Sequence, residues 1–140
     1  MSNYWGLFET VAGRLAIPGE RLIEVVETPP SFQLPLTPPG CRGVFPFRGQ
    51  LAVALDSNCY GGKVGDSCGN LVVVCSSDSG MVGLPVRKVV RVTKLENLKF
   101  LPVTEGQVDK PDGWLGDIEF DGRNYATIEL DRMLESLLRH

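Results

Sequence analysis

Few residues in this chain are able to do chemistry. Four cysteines stand at Cys41, Cys59, Cys68 and Cys75, one histidine at His140, and acid pairs at Asp109/Asp112 and Asp117/Glu119. A zinc ion takes about four nitrogen, sulfur or oxygen ligands, usually paired at short spacing, and the chain has no C-x-x-C pair. Nucleophilic catalysis pairs a serine or cysteine with a base. Here the only histidine is the last residue, where chain ends fray. No base or cluster of positive charge adjoins Cys59 or Cys68 to lower a thiol pKa. The acid pairs read as a solvated face, and no G-x-x-x-x-G-K-[ST] phosphate loop occurs. The expectation is a binding protein with no catalytic residue, no metal and no cofactor.

The residue left over is Arg48. Gly43 to Asp56 reads as two short strands joined by a tight turn at Arg48-Gly49, which carries an arginine on the tip of an apolar hairpin. Such a charge is either incidental or placed for a partner. A second basic group, Arg87, Lys88 and Arg91 with Lys94 and Lys99 nearby, has two readings. It meets an acidic partner, or it is a charged edge that discourages strand addition.

The elements that must hold these residues are mostly strands. Tyr4–Val11, Arg14–Ile17, Arg21–Glu27, Cys41–Phe47 and Gln50–Asp56 carry strand signals. The first residues of Arg21–Glu27 can also form a helical turn. Leu71–Cys75 is a continuous apolar run, as in a strand buried on both faces. Met81–Val92 reads as one strand with a bend near Pro85, and Leu95–Lys110 as irregular. Trp114–Phe120 and Asn124–Leu130 flank Asp121-Gly122, a hairpin signal because both residues tolerate positive φ. Leu130, Met133, Leu134, Leu137 and Leu138 form one apolar stripe of a short C-terminal helix. Asp131 suits its first turn and Arg139 its last.

Two loops interrupt the strands. Thr28–Gly40 holds five prolines, which donate no ladder hydrogen bond. It reads as a structured surface loop tacked to the core by Phe32, Leu34 and Leu36, in preference to a polyproline ligand or a linker. Ser57–Gly69 is the second, glycine- and cysteine-rich. Roughly nine short strands and one helix predict an all-β barrel architecture, one domain over residues 1–140. Periodicity alone does not separate one barrel from two.

With 43% hydrophobic residues the chain can build a core without disulfide staples. A net charge of −3 argues against nucleic acid. No apolar run reaches the roughly 18 residues of a membrane helix, so no membrane insertion is expected. The N-terminus has no secretory pattern, and reduced thiols in the cytoplasm are expected. The other binding reading, a β-barrel module for a different peptide or RNA, needs aromatic and basic residues on one face. Tyr4, Trp5 and Phe8 are the dense aromatic group, at strand spacing that suits a core.

Taken in order, these segments resemble the CheW-like coupling domains. The likeness runs from Arg14–Pro18 through Ile23–Glu27, the proline loop and Gly43–Asp56. It continues through Gly83–Val89 to Ile128–Leu134. The Arg48-Gly49 hairpin is its most specific part. The resemblance implies two intertwined five-stranded SH3-like barrels with an apolar groove between them. It implies a non-enzymatic adaptor that joins the cytoplasmic tip of a methyl-accepting chemoreceptor to the regulatory domain of a CheA-like histidine kinase. It also implies receptor contacts at Val25, Glu27, Gly43, Val44, Arg48 and Gly49. Pro46 before the arginine, Arg87 where an aspartate is common, and the Ser57–Gly69 loop depart from the family pattern. They suggest a divergent pathway, such as the PilI-type members of type IV pilus twitching motility.

Overall fold

The structure, a computed structural model, describes residues 3–33, 35, 40–56, 70–101 and 113–138. The described strands are β1 (Tyr4–Thr10), β2 (Gly13–Pro18), β3 (Leu22–Glu27), β4 (Cys41–Phe47), β5 (Gln50–Leu55) and β6 (Leu71–Ser77). They continue with β7 (Gly80–Val86), β8 (Lys88–Lys94), β9 (Lys99–Leu101), β10 (Trp114–Phe120) and β11 (Arg123–Ile128). Helix α1 (Leu130–Leu138) ends the described chain. The strands form two sheets, ordered β8-β1-β2-β11-β10-β9 and β3-β6-β7-β5-β4. The chain leaves the first sheet after β2, builds the whole second sheet, and returns with β8. The two sheets are therefore intertwined in sequence, as expected, with six and five strands in place of five each.

In each sheet, antiparallel strands are joined at the middle by one parallel pair, β2 with β11 and β5 with β7. Both sheets curl, which brings their outer strands together. Ile23 and Val26 of β3 pack in one apolar cluster with Phe45 and Phe47 of β4, although β3 and β4 are opposite edges of their sheet. In the six-stranded sheet, Val90 of β8 shares a cluster with Ile118 and Phe120 of β10. Arg91 lies 5.7 Å over the Phe120 ring.

Burial on both faces follows from three separate cores. Along β6, Val73 and Cys75 enter the core between the sheets, while Val72 and Val74 enter the core of the five-stranded sheet. Successive side chains of a strand point to opposite faces, so a strand between two cores needs an unbroken apolar run. Residues of β1 and β2 divide in the same way. Phe8, Leu15 and Ile17 serve the junction core, and Leu7 and Ala16 serve the core of the six-stranded sheet. At Gly83 in β7 a Cβ would stand 2.7 Å from Val72 Cγ1 and 2.8 Å from Phe45 Cε1, so Phe45 packs directly on the backbone there.

Several expectations are corrected. Met81–Val92 is two strands in different sheets. The chain crosses between sheets at Arg87, whose N–H donates to the Glu9 carbonyl at 2.7 Å, while Pro85 stays inside β7. Leu95–Lys110 is not wholly irregular, since Leu95–Asn97 is a 3-10 turn and β9 follows. That strand and the divided one raise the count from the nine expected to eleven among the described residues. Phe32 does not enter the core. It is 62% exposed, and its backbone pairs with Val44 through hydrogen bonds of 2.8 and 2.9 Å. Within the aromatic group, Phe8 is core, Trp5 is half-buried, and Tyr4 is exposed. The readings made for Leu34, Leu36, Ser57–Gly69 with its two cysteines, Asp109, Asp112, Arg139 and His140 lie outside the described residues.

Burial has a chemical consequence at Cys75. Its environment pushes the thiol from 9.0 up to about 12 because the thiolate would be desolvated. The folded state then holds its proton more tightly than the unfolded chain does. The resulting stability is complete below about pH 9 and is lost progressively as pH rises from 9 toward 12. The denaturant midpoint of the native protein should therefore fall more between pH 8 and pH 10.5 than that of Cys75→Ala. Equal declines would mean that the thiol is not desolvated.

Candidate docking face

The hairpin is built for a sharp reversal. Arg48 (φ 50°) and Gly49 (φ 76°) are both left-handed, the geometry of a type I′ turn. Glycine adopts it freely, whereas an arginine there costs on the order of 1–3 kcal/mol unless its surroundings hold it. Two contacts hold it. Arg48 Nη2 donates to Glu24 Oε1 at 3.1 Å, and the guanidinium lies 5.0 Å over the Phe47 ring. Both charged side chains remain largely in solvent, at 61% and 44% exposure, so the pair contributes little to stability.

Glu24 lies on β3, so the ion pair joins the hairpin tip to that strand. Val25 and Glu27 face outward along β3, alternating with Val26, which enters the core. Val25 is 38% exposed. Glu24, paired across from Val74 as Val26 is from Val72, projects from the opposite side of β3 to Val25 and Glu27. The Glu24–Arg48 pair and the exposed Val25 and Glu27 therefore flank the two sides of this edge strand.

The six predicted contact residues separate by position. Val25, Glu27, Arg48 and Gly49 are exposed. Val44 is half-buried and bridged to Phe32. Gly43 is buried, with φ 139°. A Cβ there would stand 2.3 Å from the Phe32 carbonyl oxygen. Gly43 therefore lets the proline-loop backbone lie against β4, and Phe32 covers it. Glu24 was missed by sequence reasoning, which had no signal for an ion pair formed by closing a sheet edge to edge.

The other candidate groups give less. Asp117 accepts from Trp114 Nε1 at 2.9 Å. Among the described residues no three His, Cys, Asp or Glu side chains are placed to hold a metal ion. No described helix is long and apolar enough to cross a membrane. In the basic group, β8 is an edge strand, so exposed Lys88 and Lys94 stand where charge opposes strand addition. An apolar cavity of about 260 Å³ lies between the sheets and α1, lined by Trp5, Ile17, Leu84, Leu115 and Met133 among others. None of the six predicted contact residues lines it, so the cavity and the hairpin face are distinct surfaces.

Intertwined sheets, a C-terminal helix packed on the core between them and an exposed charged hairpin describe a two-sheet β-barrel domain. The CheW-like domain model matches residues 6–138, and the chain belongs to that family. A solved structure, the scaffolding protein TtCheW from Thermoanaerobacter tengcongensis, is similar to it. The TM-score is 0.74 at 20% identity, over 93% of this chain and 86% of that one. None of the curated protein sequences compared matches the chain.

Proposed function

We propose that this chain is a non-enzymatic adaptor of a cytoplasmic chemosensory pathway. It couples the tip of a methyl-accepting chemoreceptor to the regulatory domain of a CheA-like histidine kinase. The observation that carries this reading is the exposed surface around edge strand β3, with Val25 and Glu27 on one side and Glu24, bonded to Arg48 of the hairpin tip, on the other. Such a surface suits a helical hairpin, the form expected of a receptor tip. Val25 offers apolar contact and Gly49 allows close backbone approach. Arg48 bonds Glu24 through one nitrogen, which leaves N–H groups for a carboxylate or for the last carbonyls of a helix. An adaptor needs a second surface for its other partner, and the apolar cavity between the sheets is separate from this face. The departures at Pro46 and Arg87 favour a divergent pathway such as type IV pilus twitching.

The test is capture of partners from the native cytoplasm by the immobilised chain, with mass spectrometry and nucleic-acid staining of what is retained. Recovery of a chemoreceptor together with a CheA-like kinase is the expected result. Retention of nucleic acid with neither protein would overturn the adaptor reading.

A further inference from the structure

Helix α1 is fastened differently from every strand. It rests on the junction core through Leu130 and Met133, which are buried, and through the half-buried Leu134 and Leu137. Its seat is incompletely filled. The cavity of about 260 Å³ opens beside Leu130 and Met133, and another of about 100 Å³ lies under Leu134 and Leu137 and reaches Cys41. Both open to the surface, so α1 is less enclosed by packing than a strand such as β6, which lies between two cores.

The polar fastening gathers at the first turn. Arg21 Nη2 donates to Asp131 Oδ2 at 2.9 Å, and Arg21 Nη1 approaches Asp78 Oδ1 at 3.5 Å. The Asp78 N–H donates to Asp131 Oδ1 at 2.9 Å. Glu129 accepts from the N–H groups of Asp131 and Arg132, capping the helix. A nine-residue helix is marginal without its packing, so it has little reason to stay ordered once lifted.

We propose that α1 is a displaceable strap over the junction core, with the Arg21–Asp131 pair as its latch. Lifting it leaves both sheets paired, because their ladders run strand to strand. It opens the apolar floor between them and widens access to the Cys41 thiol, which is half-buried with the helix in place. Cys75, inside β6, stays covered.

Native-state hydrogen exchange on the full chain tests this, together with alkylation of Cys41 and Cys75 followed by peptide mass spectrometry. In the native sequence, amides of Met133–Leu137 should exchange at least about 100-fold faster than those of Val73 and Val74, with a smaller denaturant slope. Asp131→Ala should speed helix exchange and Cys41 alkylation by roughly tenfold, since it removes a charge-assisted bond, and leave Cys75 protected. Arg21→Gln should reproduce the effect. The proposal is overturned if helix and β6 amides share one rate and slope, or if Cys41 and Cys75 become reactive together. Should Asp131→Ala fail to fold, the native-chain exchange pattern decides alone.

Discussion

Arg48→Glu is expected to weaken binding to a chemoreceptor-tip fragment by about 30-fold or more, the effect of losing an interface hot spot of roughly 2 kcal/mol. Stability should change by no more than about 1 kcal/mol, because the ion pair it breaks is exposed. The separation of the two effects is the informative part. The variant sets a carboxylate against Glu24 and removes the cation over Phe47, yet the strands beneath are held by the core of Phe45, Phe47, Val72 and Val74. Isothermal titration with the tip fragment measures binding, and urea denaturation measures stability. Arg48→Asn sharpens the test. Asparagine tolerates left-handed backbone and favours this turn before glycine. That variant should equal or exceed the native stability while losing the partner. Full binding by both variants would remove the hairpin from the site.

Gly43→Ala is expected to destabilise the fold by about 2–4 kcal/mol, the sum of left-handed strain and overpacking. The new methyl would meet a backbone carbonyl at 2.3 Å, and a backbone cannot swing aside as a flexible side chain does. Either β4 moves, at the cost of its pairing with β5, or the Phe32 segment lifts and breaks both hydrogen bonds to Val44. Chemical denaturation gives the magnitude. A loss below about 0.5 kcal/mol, the range of ordinary surface changes, would show that the proline-loop segment leaves β4 freely. Gly43 would then be an accessible part of the docking face instead of a seat for Phe32.

These two positions mark how far residue patterns reach. The Arg48-Gly49 turn was legible because left-handed backbone is a local property, satisfied within two residues. The same holds for Asp121-Gly122, while the helix α1 was legible from the fixed period of its apolar residues. The run Leu71–Cys75 announced burial on both faces, and the two cores on either side of β6 account for it. Met81–Val92 misled because its valines continue through a crossover between sheets, and periodicity does not record a change of partner. Phe32 misled for a related reason: its backbone is what the fold uses, while its ring stays in solvent.

By itself the sequence determined the strand-rich class, the two tight turns, the C-terminal helix and the candidate cation at Arg48. Each depends on interactions within a few residues or on a face of fixed period. Only the tertiary structure decided that Glu24 holds Arg48, that Gly43 lies beneath the proline loop, and that the inter-sheet cavity is separate from the hairpin. The first arises when a curled sheet brings its two edge strands together, the second from a loop laid against β4, and the third from the seating of both sheets and α1; all are contacts between segments that no local pattern encodes.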